Sequence, residues 1–170
     1  MSAPRVVVNF AYGSNMLRRR LQARVPSARP LGPAILHGHR LQWHKTGRDG
    51  SGKCDVVPTL EPGHAVHGVL YEMLAAEKPA LDRVEGVGAG YEVEQVEVET
   101  AGGPVSAFLY RATHTDPDLR PYRWYKAIVV AGAREHGQPA DYVARLEAAL
   151  AIDDPDAARH DEHIALTLAR

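Results

Sequence analysis

Cysteine is nearly absent from this chain: Cys54 is the single one in 170 residues. An internal disulfide and a cysteine-based zinc site are therefore excluded, and a reducing compartment is expected. Excess charge of either sign is also missing. Twenty Lys and Arg stand against 21 Asp and Glu, for a formal net charge of −1, so no global field gathers nucleic acid or an acidic membrane. No apolar run approaches the length of a membrane span. Met1-Ser2-Ala3-Pro4-Arg5 leads straight into a short apolar strand, too brief for a signal peptide, and a cytoplasmic protein is expected. Internal repeats, long linkers and a second domain are lacking too. The chain reads as one domain over 1–170, with 153–170 as a polar C-terminal tail.

What is present is most informative at Phe10-Ala11-Tyr12-Gly13-Ser14-Asn15. The stretch follows the β-branched run Val6-Val7-Val8 and precedes a helical pattern read over Asn15 to Arg24. A strand turning on Gly-Ser-Asn into a helix leaves main-chain N–H groups unpaired, a ready seat for a carboxylate. The second signal is Leu81-Asp82-Arg83-Val84-Glu85-Gly86-Val87-Gly88-Ala89-Gly90-Tyr91, where Glu85 stands just past a short helix at the mouth of a glycine-rich loop. Strands are expected at Leu31 to Leu36, Arg40 to His44, Val56 to Leu60 and Ala65 to Met73. Another is expected at Tyr91 to Glu99, with a bulge near Gln95 where alternation breaks. Its hairpin partner is Val105 to Ala112. Helices are expected at Tyr122 to His136 and from Pro139 to about Ala151. So few crossovers imply an α+β fold: a small mixed, mostly antiparallel sheet, curled or closed into a barrel, with flanking helices.

Other patterns carry less. Arg18, Arg19, Arg20 and Arg24 read as a solvated helix face rather than a phosphate patch. His37 with His39, and His160 with His163, have spacings that suit a metal but no complete ligand set, so they read as surface histidines and no metal site is assigned.

The order of strand, Tyr-Gly-Ser-Asn turn and helix, then Glu-Gly-Val-x-x-Gly-Tyr, then a Trp-Tyr-Lys helix resembles the γ-glutamylcyclotransferase family, with an AIG2-like fold. The likeness is carried by residues 10–16, 81–91 and 124–137 and spans roughly 5 to 150. It implies a small mixed barrel with flanking helices. It also implies a cofactor-independent reaction in which a γ-glutamyl compound yields 5-oxoproline and a free amino acid or amine. By resemblance, Glu85 is the catalytic carboxylate. Asn9, Phe10, Ala11, Tyr12, Gly13 and Ser14 form the substrate loop, Tyr125 is a further binding residue, and Tyr91 and Tyr110 match aromatic positions near the site. Asn9 departs from the larger aromatic or apolar residue usual there, which bears on the leaving group.

This chemistry asks three things of the chain. It must grip the α-carboxylate, for which the amides of Tyr12 to Asn15 serve. It must also deprotonate the α-ammonium, for which Glu85 is the candidate base. A free Glu titrates near ~4.3, and burial beside Val84, Val87 and Tyr91 is expected to raise it. Finally it must stabilise the tetrahedral oxygen, by the Gly13–Ser14 amides or a tyrosine hydroxyl. Three alternatives stay open: a γ-glutamyl-amine cyclotransferase acting on a protected biosynthetic intermediate, a non-catalytic binding module on the same fold, and Asp82 or Glu92 as the base. The expected partner is a small γ-glutamyl molecule rather than nucleic acid or membrane, with a homodimer left open.

Overall fold

The computed structural model describes residues 2–168. The Val6-Val7-Val8 run opens β1 (Val6–Ala11), which pairs antiparallel with β5 (Ala65–Leu74) from Val6 opposite Leu74 to Ala11 opposite Val69. On its other side β5 pairs antiparallel with β2 (Arg29–His37). Register slips there between Pro30 and Gly32, letting the sheet curl. β2 meets β6 (Tyr91–Thr100) at Ile35 opposite Glu99, and β6 pairs antiparallel with β7 (Gly103–Ala112). A parallel bridge from Phe108 to Asn9 returns to β1 and closes the barrel β1-β5-β2-β6-β7. The expected mixed, mostly antiparallel barrel is thus formed. β3 (His39–Thr46) and β4 (Gly52–Pro58) make a separate two-stranded ribbon. Pro58 ends a strand paired on one side only, a position that tolerates a missing N–H.

No bulge lies near Gln95: β6 and β7 stay in register from Tyr91 opposite Ala112 to Thr100 opposite Gly103. The alternation breaks because the strand changes its buried face. Val96 and Val98 pack on one side, whereas Tyr91 is buried on the other, against β4. Val93 and Gln95 between them are exposed.

The helix expected over Asn15 to Arg24 is divided into a 3-10 turn at Ser14–Met16, an extended Leu17, and α1 (Arg18–Arg24). In an unbroken helix the Met16 carbonyl would accept from Arg20 N–H. Instead it accepts from Tyr71 Oη at 2.7 Å and lies 3.0 Å from His136 Nε2. Tertiary partners outcompete the helical ladder there. α2 (Lys78–Glu85) follows a 3-10 turn and includes Glu85 as its last residue. Gly86 then ends it in the left-handed region, at φ 79°.

α3 (Arg123–Glu135) matches the first expected helix, while α4 (Ala140–Glu147) starts one residue after Pro139, its N-cap, and stops short of the expected end near Ala151. The polar tail is more than a tail: α5 (Ala157–Leu168) packs on α3, with the His163 ring stacked on Trp124 at 4.0 Å. Asp154 anchors this junction, accepting from Trp124 Nε1 at 2.8 Å and pairing with Arg159 at 2.6 Å. The last two residues of the expected tail, and Met1, lie outside the described residues. The core fills the barrel and the space beneath α1, α2 and α3 with Phe10, Leu21, Val66, Val69, Leu81, Leu109 and Ile128. Gly132 lets α3 lie directly on the turn after β1. A Cβ there would come 2.6 Å from Leu17 N and 2.7 Å from Met16 Cβ.

Candidate active site

β1 delivers Phe10 and Ala11 into the core, and the chain then leaves the sheet at Tyr12. Among the described residues, the main-chain N–H groups of Gly13, Ser14 and Asn15 find no acceptor. They are the unpaired donors of a turn held from below by α3 and by the Met16 carbonyl bonds. Beside them is a small hollow lined by residues 9–15 together with Cys54, Glu85, Tyr91, Tyr110 and Tyr125.

Glu85 enters from α2. Its side chain is 14% exposed, and Oε1 accepts from Asn15 Nδ2 at 2.7 Å and from Arg24 Nη1 at 3.1 Å. Arg24 also donates to Asn15 Oδ1 at 2.9 Å, so three side chains lock one another. Oε2 has no partner among the described residues, and the carboxyl group borders the hollow. The expected apolar surroundings are not there. Val84 and Val87 are 45% and 39% exposed, and only Tyr91 of the three is buried. The carboxylate sits in a polar, hydrogen-bonded setting because the end of α2 turns both valines toward solvent.

The tyrosines build the walls. Tyr91 Oη donates to Cys54 O at 2.7 Å, and Tyr125 Oη accepts from Cys54 N–H at 3.0 Å, so the β4 backbone is clamped between β6 and α3. Tyr12 Oη donates to Tyr110 O, and Tyr110 Oη donates to Asp82 Oδ1 at 2.7 Å. Burial pushes the Tyr12, Tyr91 and Tyr125 phenols well above their ordinary range, and the Cys54 thiol up to about 12. Asp82 is committed to Lys78 and Tyr110, and Glu92 is exposed on β6. Neither borders the hollow.

A larger outer chamber adjoins the first and shares Ser14, Glu85, Tyr91 and Tyr125 with it. Its wall carries Arg20 and Arg24 from α1, Lys45 and Lys53 from the ribbon, Arg48 and Asp49 from the ribbon's loop, and Trp124 and His163. Arg20 does not lie on a solvated face. Its Nε donates to Ser14 Oγ at 3.0 Å, and desolvation lowers its pKa to about 10.

A model of the AIG2-like family matches residues 65–146. A human γ-glutamylcyclotransferase is 34% identical over 144 residues, covering 82% of this chain and 76% of the relative. A bovine γ-glutamylcyclotransferase is 32% identical over 142 residues, covering 81% and 75%. The chain belongs to the γ-glutamylcyclotransferase family. A solved structure described as a γ-glutamyl cyclotransferase superposes on this member with a TM-score of 0.85 at 29% identity, covering 95% of this chain and 99% of the other.

In this family member, all eleven residues singled out in the sequence line the inner hollow: Glu85, Asn9 to Asn15, Tyr91, Tyr110 and Tyr125. Asn9 lines the inner hollow from the barrel side. Its Nδ2 donates to Phe108 O at 3.1 Å, tying β1 to β7, and it does not border the outer chamber. The loop at 47–52 does, through Gly47, Arg48 and Asp49. Sequence reasoning missed Arg20, Arg24, Lys45, Lys53, Cys54 and His163. For Arg20 and Arg24 a signal existed, since residues four apart share a helix face starting beside the Gly-Ser-Asn turn. For Lys45 and Lys53 there was none: they meet only because the ribbon's register sets them opposite each other.

Proposed function

We propose that the protein is a γ-glutamyl cyclotransferase that folds a γ-glutamyl group onto itself and releases 5-oxoproline with the freed amino compound. The observation that carries this reading is a single hollow bordered on one side by the unpaired amides of Gly13, Ser14 and Asn15 and on the other by Glu85. The amides take the α-carboxylate, and the hollow holds the glutamyl chain bent, which supplies most of the advantage of an intramolecular attack. Glu85, through Oε2, removes a proton from the α-ammonium. The amine then bonds to the γ-carbonyl carbon, and the carbon–nitrogen bond to the leaving group breaks as the tetrahedral centre collapses. Two protons leave the α-nitrogen in all, and both finish on the departing nitrogen, one carried there by Glu85. Asn15 and Arg24 hold the carboxyl group in place through Oε1.

Of the four tyrosine hydroxyls at the hollow, three give their proton to a main-chain or carboxylate oxygen. Tyr125 accepts from Cys54 N–H instead and otherwise meets the Cys54 thiol, a weak acceptor, so its proton is given to no oxygen, and Tyr125 Oη lies beside Gly13. That arrangement supports Tyr125 as donor to the tetrahedral oxygen. The single buried cysteine supports a cytoplasmic location. The test is 5-oxoproline release from γ-glutamyl-alanine. Glu85→Gln is expected to lower kcat by roughly 10²- to 10⁴-fold with the melting temperature nearly unchanged. Undiminished turnover in that variant would remove Glu85 as the base.

A further inference from the structure

The outer chamber is where a leaving group must sit, because it opens from the inner hollow at Ser14 and Glu85. Two of its five cations are paired within the wall: Arg24 with Glu85, and Lys53 with Asp49 at 2.9 Å. Arg20, Lys45 and Arg48 have no carboxylate partner among the described residues. Lys45 is the most unusual. It is 7% exposed, and no hydrogen-bond acceptor reaches its Nζ among the described residues. Its ammonium lies over the Tyr91 ring at 4.5 Å, at the boundary of the two chambers. Desolvation lowers its pKa, opposed by the through-space pull of Glu85, whose own ion pair is with Arg24.

The Lys45 side chain is covered but its ammonium tip opens to the chamber with no protein acceptor, so its hydrogen bonds must come from what the chamber holds, and a ligand anion is a stronger partner there than water. Arg20 presents a second such charge. Its guanidinium donates to Ser14 Oγ, lies 3.5 Å from His163 Nδ1 and sits over the Trp124 ring at 5.9 Å, with no carboxylate among these contacts, and a guanidinium fork suits a carboxylate. A simple amine would bring a further cation among these three.

We infer that the outer chamber selects leaving groups carrying two carboxylates, so that the favoured substrates are γ-glutamyl conjugates of acidic amino acids, with Lys45 as the residue that sets this preference. The inference rests on the cyclotransferase reading and names its substrate class. One carboxylate meets Lys45 over Tyr91 and the other meets Arg20, while neither residue takes part in bond making.

The experiment compares kcat/KM for γ-glutamyl-glutamate, for its near-isostere γ-glutamyl-glutamine, and for γ-glutamyl-butylamine. The expected order is glutamate, glutamine, butylamine. The glutamate-to-glutamine ratio should be about tenfold, appearing mainly in KM, as for a charge-assisted hydrogen bond felt equally in ground and transition states. In Lys45→Met that ratio should fall toward one, and Lys45→Arg should keep most of it. Parity between glutamate and glutamine in the unaltered protein overturns the inference while leaving the cyclotransferase reading standing. Absence of 5-oxoproline from all three compounds overturns both. A preference that survives Lys45→Met removes Lys45 from the role.

Discussion

At the scale of single residues, the site separates holding from reacting. Glu85 Oε1 is committed to Asn15 and Arg24, while Oε2 has no partner among the described residues and the residue borders the hollow. A carboxylate tethered by one oxygen loses little rotamer freedom when it takes a proton on the other. Tyr125 accepts from Cys54 N–H, and its hydroxyl faces only the Cys54 thiol, a weak acceptor, rather than an oxygen. Tyr125→Phe is therefore expected to lower kcat by about 10²-fold with a smaller change in KM, the behaviour of a donor to a developing oxyanion. Stopped-time assays of 5-oxoproline would register it. Equal loss in Tyr12→Phe, whose proton is already given to Tyr110 O, would mean that the effect is packing and not donation.

At the scale of elements, the turn that borders the hollow is shaped by what lies beneath it. Ser14–Met16 would continue into α1 if local propensity ruled, and Tyr71, His136 and α3 prevent it. α3 comes this close only because residue 132 has no side chain. Gly132→Ala places a methyl 2.6 Å from the Leu17 nitrogen, a clash with backbone that rotamers cannot relieve. The variant is expected to lose about 1–3 kcal/mol of stability by denaturant titration and to lose activity beyond what its folded fraction explains, because the amides at 13–15 move with the turn. Full specific activity in the folded fraction would show the turn to be independent of α3.

At the scale of the whole molecule, barrel, ribbon and helices converge on one buried point, the Cys54 backbone, held by Tyr91 from β6 and Tyr125 from α3. Cys54 and three phenols around the hollow are all acids that burial holds protonated. Below the thiol's unfolded pKa, roughly 8.5, both states keep these protons and the contribution is fully present. Above it the unfolded chain ionises first, so stability falls as pH rises toward the Cys54 value of about 12. Urea midpoints are expected to decline steadily above about pH 8.5. Thiol reagents at that pH should label Cys54 only as fast as the protein opens, and labelling at the rate of a free thiol would contradict its burial.

The strand-turn-helix signal, the carboxylate before a glycine loop, and the barrel class were legible in the chain itself, because they depend on local backbone chemistry and on periodicity. Gly86 had to end α2 wherever α2 packed, and Val6-Val7-Val8 had to be a strand. The split of the helix at Leu17, the polar setting of Glu85 and the inward turn of Arg20 depended on partners 55 to 143 residues away, and the docking of α5 depended on the packing of His163 against Trp124. The basic outer chamber is of the same kind. A net charge of −1 concealed it, since charge sums over a chain while a cleft gathers only the side chains that the fold turns toward it. Which residue types this protein carries, and in what local order, was settled along the sequence. Which of them share one cavity was decided by barrel closure and ribbon register, because those alone bring distant residues within hydrogen-bond reach.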